Sequence, residues 1–311
     1  MLMQVLILLA GLAMVVIGAD ALVSGASSVA RRSGISEFII GMTIVGFGTS
    51  LPELVVSLNG AIAGSSDISI GNVLGSNIFN TLLILGITAV IAPIAITRGN
   101  LRRDIPVCFA VTALFIGLGM LGGRIGRIDA AILLLSFAAY MLFCFRFSAP
   151  EGEDSSEEKT LGVAVSVIFI IAGLAGLVVG GRIFVDSAVA IAREIGVSQK
   201  FIAVTVLAGG TSLPELATCI VAAARRKGTL ALGNILGSNI FNLLLIIGTA
   251  GLVRPLSFSG MGWIDITALL LSLVIVWAGA YLSKGEKIGR CTGTALLAAY
   301  AAYMTYIFIT L

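Results

Sequence analysis

Two glutamates lie inside long apolar stretches of this chain, where a carboxylate is costly. Glu53 and Glu215 each stand in a run of membrane length, and an ionised side chain at the centre of a bilayer costs at least about 2.5–3.5 kcal/mol. A residue kept at that cost is a candidate for function. Two carboxylates could together bind one cation, and hard oxygen ligands favour calcium, sodium or magnesium. The alternative is a pair of structural glutamates satisfied by hydrogen bonds.

The two glutamates occupy equivalent positions of an internal repeat. The sequence GTSLPEL begins at Gly48 and again at Gly210, and GNxLGSNIFN begins at Gly71 and again at Gly233, always 162 residues apart. Over the 39 positions that start at Gly48, 21 are identical to their partners. A duplicated membrane unit with polar residues at mid-depth is typical of a transporter whose site lies between its repeats.

Hydroxyl groups and a proline surround each glutamate. Thr49 and Ser50 precede Glu53 by four and three residues, so on a helix the three share a face. Pro52 removes a backbone donor, frees the carbonyl of Gly48 and kinks the helix. Broken helices with free carbonyls occur at membrane depth only where they line a cavity or are buried in protein. The second repeat carries the equivalent Thr211, Ser212, Pro214, Gly209 and Gly210.

Polar side chains recur every four residues on the helix after each glutamate, and they therefore share one face. In the two repeats they are Asn72, Ser76 and Asn80, and Asn234, Ser238 and Asn242. The serines and the later asparagines are expected to bind a cation or to support its ligands, with interhelical hydrogen bonding as the alternative. For the earlier asparagines, and for Asn77 and Asn239, both interpretations stay open. Glycines at GxxxG spacing predict close helix packing; they are Gly71, Gly75, Gly233 and Gly237.

The elements that position these residues are predicted to be membrane helices. The 311 residues are 58% hydrophobic and 11% charged, with a mean hydropathy of +1.11, whereas soluble domains are about 25% charged. Recurring apolar runs of about 20 residues predict an all-α integral membrane protein with about ten transmembrane helices. The predicted spans are 4–24, 37–63, 69–93, 105–122, 129–146, 161–181, 200–223, 229–252, 262–282 and 292–310.

Basic residues predict that both termini lie outside. With ten spans and the N-terminus outside, inside loops hold 13 of the 19 Lys and Arg residues, which agrees with the positive-inside bias. The thirteen are Arg31, Arg32, Arg98, Arg102, Arg103, Arg146, Lys159, Arg225, Arg226, Lys227, Lys284, Lys287 and Arg290. The run 225–227 is interpreted as a topology anchor rather than a lipid or nucleic-acid site. No basic residue precedes the first span, so we expect a retained helix rather than a cleaved signal.

The chain is predicted to consist of two five-helix repeats, 1–146 and 161–311, joined by a short acidic cytoplasmic linker at 147–160. The repeat begins in the first span, since Gly18 pairs with Gly180 at the same offset. Five spans separate the copies, and an odd number means that the second copy enters the membrane from the opposite side. The repeats are therefore predicted to be inverted, and two-fold symmetry would bring the two glutamates together near the midplane.

The residue inventory excludes several kinds of site. The chain contains no histidine, which excludes histidine proton relays, haem ligation by histidine and typical zinc sites. The four cysteines are far apart and show no metal spacing. No cofactor and no nucleic-acid partner is expected, and the lipid bilayer is the expected environment.

The paired GTSLPE and GNxLGSNIFN segments resemble the α-repeats of the calcium/cation antiporter superfamily, close to prokaryotic sodium/calcium exchangers. The resemblance extends over all ten spans. It implies ten helices in two inverted halves, with both termini outside the cell membrane. It also implies a secondary antiporter, not an enzyme, that exchanges sodium for calcium by alternating access, with the two ions as substrates.

The resemblance also implies which residues bind ions. The two repeat glutamates and the preceding threonines bind calcium in the family, which here gives Glu53, Glu215, Thr49 and Thr211. One flanking sodium site corresponds to Ser50, Ser76, Glu53, Thr211, Ser212 and the Ala208 carbonyl. The other corresponds to Thr49, Ser50, Ser212, Ser238, Glu215 and the Gly46 carbonyl. Asn80 and Asn242 fall at positions that hydrate or coordinate the centre.

Asn242 departs from the pattern of some relatives, which carry Asp there. Potassium-dependent members of the family have an acid at this position, so Asn242 disfavours potassium coupling. With two core carboxylates rather than three, the sodium stoichiometry stays open. The chain has no counterpart of the large regulatory loop of animal exchangers, and no regulation of that kind is expected.

Three rival functions stay open on the residues alone. A calcium/proton antiporter of the same fold could load protons on the two glutamates, although the serine and threonine hydroxyls favour sodium. A passive cation channel could also combine inverted repeats with a carboxylate pair. An intramembrane hydrolase could use two acids, but the sequence has no further water-activating signature.

Overall fold

A computed structural model describes residues 1–146, 160–196, 208–258 and 261–310, which are helical almost throughout. These residues include eight helices long and apolar enough to cross a membrane, and one helix pair, Glu37–Thr49 and Leu51–Ala63, bent by 47°. The prediction of an all-α membrane fold is therefore confirmed. Of the predicted span 200–223, only the part from 208 onward lies among the described residues.

The described helices are numbered in chain order. They are α1 (Leu2–Ser33), α2 (Glu37–Thr49), α3 (Leu51–Ala63), α4 (Ser66–Ile91), α5 (Asn100–Gly122), α6 (Arg127–Arg146), α7 (Val163–Glu194), α8 (the single turn Ala208–Gly210), α9 (Leu213–Ala224), α10 (Gly228–Val253), α11 (Trp263–Leu282) and α12 (Arg290–Thr310). The helix α1 runs nine residues beyond its predicted end. It ends where Gly34 adopts a left-handed conformation (φ 66°) and donates its N–H to the Ala30 carbonyl.

Four two-residue strands tie helix ends together. They are β1 (Ile94–Ala95), β2 (Arg124–Ile125), β3 (Leu256–Ser257) and β4 (Lys287–Ile288). The strand β1 pairs antiparallel with β4, and β2 pairs antiparallel with β3. Such short strands carry little stability alone, but each pair satisfies backbone groups where the chain turns between helices.

The chain forms two compact units that do not coincide with the sequence halves. The first unit comprises Met1–Pro52 and Ser148–Asn234, and the second comprises Glu53–Phe147 and Ile235–Leu311. Each unit therefore combines elements of both repeats. The division of the chain at its acidic linker stays a prediction, because that linker lies outside the described residues.

In the first unit, α1 and α7 pack along a seam of small residues. A methyl group added at Gly18 would come within 2.8 Å of the Gly173 carbonyl oxygen, and one added at Gly11 within 2.8 Å of the Phe184 nitrogen. At Gly25 the nearest atom would be the Ser166 carbonyl oxygen, at 2.7 Å. These glycines are seven residues apart, so the same face of α1 meets backbone at every second turn. Close backbone approach of this kind is typical of helix pairs in membranes.

Ion pairs join α1 and α2 to the turn between α9 and α10 in the same unit. The Arg225 guanidinium pairs with the Asp20 carboxylate and donates to Ser24 Oγ at 2.5 Å. Lys227 Nζ donates to Glu37 Oε1 at 2.9 Å. Asp20 therefore joins α1 to the residue that follows α9.

In the second unit, aromatic side chains and glycines bring the remaining helices together. Edge-on ring contacts join Phe115 to Phe258 and Phe137 to Phe241, with ring centroids 5.4 Å and 4.9 Å apart. Gly293 of α12 lies against the Gly86 carbonyl of α4, where an added methyl would approach to 2.8 Å. Through these contacts, α5, α6, α11 and α12 pack around α4 and the later part of α10.

The glycine pairs of the two repeats pack differently. At Gly233 an added methyl would stand 2.1 Å from the Phe38 carbonyl oxygen, so the predicted close packing is present there. At Gly71 and Gly75 no described atom would lie within 4 Å of such a methyl, and both residues are exposed. The prediction of close packing stays a prediction at these two positions, because the repeat counterparts of Phe38 and Met42, residues 200 and 204, lie outside the described ranges.

Four π-helical segments among the described residues were not anticipated. Asn100–Asp104 opens α5, Gly41–Val45 interrupts α2, Phe79–Ile84 interrupts α4 and Phe241–Ile246 interrupts α10. The last two are exact repeat partners, 162 residues apart. A π-turn holds one more residue than an α-turn, so it shifts the face on which all later side chains lie.

Candidate functional site

Each glutamate sits in the first turn of a helix that follows a break. Ser50 (φ −83°, ψ 6°) separates α2 from α3, and Ser212 (φ −89°, ψ 9°) precedes α9. The prolines at 52 and 214 lie in the first turn of the new helix, where the missing N–H costs nothing. The predicted kinks are therefore present, each centred two residues before its proline. Both Glu53 and Glu215 are fully buried.

In the first unit, the Glu215 carboxylate lies against the break of the other repeat. Ser50 Oγ donates to Glu215 Oε1 at 3.2 Å. Thr49 Oγ1 lies 3.1 Å from both the Val45 carbonyl oxygen and Asn234 Oδ1, and its one hydrogen can go to either. Asn234 in turn donates to Cys219 Sγ at 3.3 Å. Residues from both repeats thus meet around one buried carboxylate.

Four more predicted site residues of the first unit lie close to these breaks. Thr211 Oγ1 is buried and has no hydrogen-bond partner among the described residues. Ser212 is fully buried. The Gly46 carbonyl accepts the Ser50 N–H at 3.2 Å and lies 3.4 Å from Thr49 Oγ1. Ala208 opens the turn α8, directly before the second break.

In the second unit, Glu53 is held by residues of its own repeat. Ser76 Oγ donates to Glu53 Oε1 at 3.3 Å. Asn72 Nδ2 donates to the Glu53 carbonyl oxygen at 3.1 Å and to Ser57 Oγ at 3.0 Å. Ser57 and Ser69 exchange hydroxyl-to-carbonyl hydrogen bonds at 3.3 Å and 2.8 Å. The helix that carries the glutamate is thereby fastened to α4.

A network of asparagines from both repeats lies on α4 and α10 in the same unit. Asn242 Nδ2 donates to Asn77 Oδ1 at 2.9 Å, and Asn80 Nδ2 donates to Asn239 Oδ1 at 3.3 Å. Asn239 Nδ2 donates to Thr81 Oγ1 at 2.7 Å, and Asn77 Nδ2 donates to the Asn239 carbonyl at 3.1 Å. The network consumes amide hydrogens but leaves two oxygens, Asn80 Oδ1 and Asn242 Oδ1, buried and without a partner among the described residues.

Sequence reasoning left the roles of four asparagines open, and the structure assigns them contacts. Asn77 and Asn239 brace the later asparagines, while Asn72 and Asn234 fasten the glutamate-bearing helices to the helices that follow. Identity between the repeats singled these positions out. Sequence identity could not show which asparagines bind an ion and which only support another side chain. The two roles differ in whether the amide oxygen or the amide nitrogen faces the neighbouring group.

The buried site is poor in charge and rich in neutral oxygens. Among the described residues, no group of three or more His, Cys, Asp or Glu side chains could hold a metal ion. Ser238 is fully buried beside these asparagines in sequence. One carboxylate per unit, with hydroxyl, amide and carbonyl oxygens, is a ligand set for a hard cation.

Comparison with known proteins identifies the family. The sequence profile of the sodium/calcium exchanger protein family matches residues 3–146 and 165–309, so it covers both repeats. The sodium/calcium exchanger MaX1 of Methanosarcina acetivorans is 31% identical over 343 residues, covering 97% of this chain and 98% of that protein. The putative antiporter CaxA of Alkalimonas amylolytica is 34% identical over 318 residues, covering 99% of both chains.

A solved structure agrees with these relatives. A structure of the sodium-calcium exchanger NCX_Mj, soaked with sodium and calcium, superposes with a TM-score of 0.85 at 33% sequence identity. The match covers 97% of this chain and 98% of that one. The similarity therefore extends over the whole fold rather than over the repeat motifs alone.

Proposed function

This chain belongs to the sodium/calcium exchanger protein family, and we propose that it exchanges sodium for calcium across the cell membrane as a secondary antiporter. The observation that carries the proposal is the pair of fully buried glutamates at repeat-equivalent helix breaks, each accepting a serine hydroxyl. The family consists of transporters, and we assign this chain transport rather than an enzymatic reaction.

We propose that Glu53 and Glu215 bind the same ion. The sequence repeat predicts this arrangement, since inverted repeats of transporters place equivalent residues at one site near the midplane. Two carboxylates can be neutralised by one calcium ion or by several sodium ions, but not usefully by both. Competition for the same oxygens makes the two substrates mutually exclusive, which is the requirement for exchange rather than cotransport.

Three buried oxygens without partners support a cation as the substrate. Thr211 Oγ1, Asn80 Oδ1 and Asn242 Oδ1 lack hydrogen-bond partners in the described chain, and a buried polar group left unsatisfied costs about 1–3 kcal/mol. A bound cation would recover that free energy. The other proposed ligands are Thr49, Ser50, Ser212, Ser76 and Ser238, with the carbonyls of Gly46 and Ala208.

We propose alternating access in which α1 and α7 slide along the remaining helices. An empty site with two charges would be costly to move through the low-dielectric barrier, so occupancy permits the change. Their shared seam of glycines supports movement of α1 and α7 as one body.

A crosslink tests the sliding of α1 against α9. In a Cys291→Ser background, Ser24→Cys and Arg225→Cys would be joined by a cleavable thiol crosslinker, since the parent side chains are in contact. We expect exchange to stop on crosslinking and to return on cleavage. The matched control joins Asp265→Cys to Tyr303→Cys, whose parent side chains also touch. Full exchange by the crosslinked 24–225 protein would show that the sliding assignment is wrong.

The positive-inside bias supports a placement in the cell membrane with both termini outside. Asn242, where potassium-dependent relatives carry an acid, supports exchange that does not need potassium. Replacing potassium by choline on both sides of the membrane is expected to leave the exchange rate unchanged.

The deciding experiment is calcium-45 uptake into proteoliposomes loaded with sodium and diluted into sodium-free buffer. We expect uptake that needs the sodium gradient, is absent in Glu53→Gln and persists in Glu286→Gln, a control at an exposed glutamate. Uptake driven by a pH gradient but indifferent to sodium would assign the chain to calcium/proton antiport instead. Steady conductance without saturable exchange would indicate a channel.

A further inference from the structure

An open cavity lies at one end of α5 and α11, far along the chain from the glutamate motifs. It has a volume of about 640 Å³ and belongs wholly to the second unit. Its lining residues are Arg98, Leu101, Arg102, Pro106, Trp277, Tyr281 and Lys284. None of these residues has a role in the proposed exchange.

Three cations line this cavity without a carboxylate partner. Arg98 lies just before α5 and Arg102 in its first, π-helical turn, and both line the cavity. Lys284 follows α11 and adopts a left-handed conformation (φ 58°), which is unfavourable for a side chain other than Gly or Asn. Within the described residues none of the three forms an ion pair, whereas the neighbouring Arg103 pairs with Asp104 at 2.8 Å. The cavity therefore keeps a net positive charge.

The opposite wall of the cavity is aromatic and exposed. The rings of Trp277 and Tyr281 stack with centroids 5.9 Å apart and an interplanar angle of 30°. Their exposed fractions are 44% and 66%, and the next residue along, Leu282, is 82% exposed. Trp and Tyr at a helix end are typical of the boundary between lipid tails and headgroups. The cavity thus presents cations beside an apolar surface at membrane-interface depth.

We propose that this cavity binds an acidic phospholipid of the inner leaflet. Its phosphate contacts Arg98, Arg102 and Lys284, and one acyl chain lies along Trp277, Tyr281 and Pro106. Basic pockets between transmembrane helices on the cytoplasmic side suit acidic lipid headgroups. A soluble phosphate would use the cations but gain nothing from the exposed aromatic wall. The inner-leaflet assignment follows from the positive-inside bias, and the site is independent of the ions that the protein exchanges.

Native mass spectrometry of the purified full-length protein tests the proposal. The protein would be incubated with phosphatidylglycerol or with phosphatidylcholine, and the lipid-bound fraction compared. We expect the double variant Arg102→Gln, Lys284→Gln to lower phosphatidylglycerol binding at least about tenfold, with phosphatidylcholine binding unchanged. The matched control, Arg146→Gln with Arg226→Gln, removes two other exposed cations, and Arg226 shares the left-handed conformation of Lys284.

A second arm separates a lipid from a free anion. Trp277→Ala keeps all three cations and is expected to weaken phosphatidylglycerol binding, while excess inorganic phosphate does not displace the lipid from the wild type. Size-exclusion profiles confirm that each variant is folded. Equal phosphatidylglycerol binding by the cavity and control variants overturns the proposal. Displacement by inorganic phosphate, with no effect of Trp277→Ala, overturns it in favour of a soluble anion.

Discussion

The two repeats carry the same motif but fasten it with different chemistry. In the first repeat, the hydroxyls of Ser57 and Ser69 each donate to the carbonyl of the other. At the equivalent place in the second repeat, the Cys219 thiol donates to the Ala231 carbonyl at 3.7 Å and accepts from Asn234. A thiol replaces the Ser57 hydroxyl and keeps its link to a carbonyl, whereas the Ser69 hydroxyl has no counterpart at Ala231. Positions that only fasten helices have therefore diverged, while the glutamates, hydroxyls and amides of the candidate site have not.

The equivalent threonines differ in a second way. Thr49 Oγ1 has three oxygens within hydrogen-bond distance, those of Val45, Gly46 and Asn234. Thr211 Oγ1 is buried and has none among the described residues. Identical residues in identical motifs thus have different amounts of unused hydrogen-bonding capacity, and the less satisfied one is better placed to bind an ion.

The largest expected effect tests whether the two glutamates are functionally equal. Glu53→Gln and Glu215→Gln should each lower sodium-driven calcium uptake at least about 100-fold, because a buried cation that loses one of its charge partners is destabilised by about 3–5 kcal/mol. Uptake into proteoliposomes measures this, with Glu286→Gln as the control. If one glutamine variant keeps even half of the wild-type rate, the repeats do not share one ion.

The second prediction concerns the glycines that pack differently. Gly233→Ala should lower the free energy of unfolding by about 1–3 kcal/mol or more, since its methyl would overlap the Phe38 carbonyl. Gly71→Ala should be neutral or stabilise by up to about 1 kcal/mol, because alanine favours a helix and the space is open. Thermal unfolding of both proteins in detergent measures the difference. Equal shifts of the two unfolding midpoints would contradict the packing difference.

The third prediction separates the two threonines. Thr211→Val removes a hydroxyl without a described partner, so stability without ions should be kept while the calcium dependence of uptake weakens about tenfold. Thr49→Val also leaves Asn234 Oδ1 without its donor and should cost about 1 kcal/mol of stability. Unfolding midpoints with and without calcium measure both effects. A Thr211→Val protein as unstable as Thr49→Val would remove the distinction.

The smallest effect is expected where the repeats already differ. Ser57→Cys and Cys219→Ser each copy the side chain of the other repeat, so exchange rates should stay within about fivefold of the wild type. The contrast is Ser57→Val, which leaves Asn72 and Ser69 short of a partner and should lower the unfolding midpoint. A severe loss in Cys219→Ser would assign the thiol a role beyond fastening two helices.

The sequence alone was sufficient to predict the membrane fold, the repeats, the buried glutamates and the breaks before them. These features depend on composition, periodicity and proline, which act locally. The resemblance already implied that Ser50 and Glu215 share one sodium site. That the Ser50 hydroxyl donates directly to the Glu215 carboxylate could not be predicted, because such a contact depends on how the helices pack.

Tertiary packing also distinguishes residues that are identical in the two repeats. Gly71 and Gly233 occupy equivalent places in the repeats, yet among the described residues only Gly233 meets another backbone. The sequence favoured Asn80 and Asn242 as ligands but left the roles of Asn77 and Asn239 open. The direction of each amide is set by its tertiary partners, so only the structure separates them.

The paired π-helical segments bear on the history of the chain. Phe79–Ile84 and Phe241–Ile246 occupy the same place in the two repeats, and a π-turn is what results when one residue is inserted into an established α-helix. Two independent insertions at one matching site require more events than a single insertion in a common ancestor. The insertion therefore predates the gene duplication, and the half-length ancestor already carried this irregular turn around its last repeated asparagine, now Asn80 and Asn242.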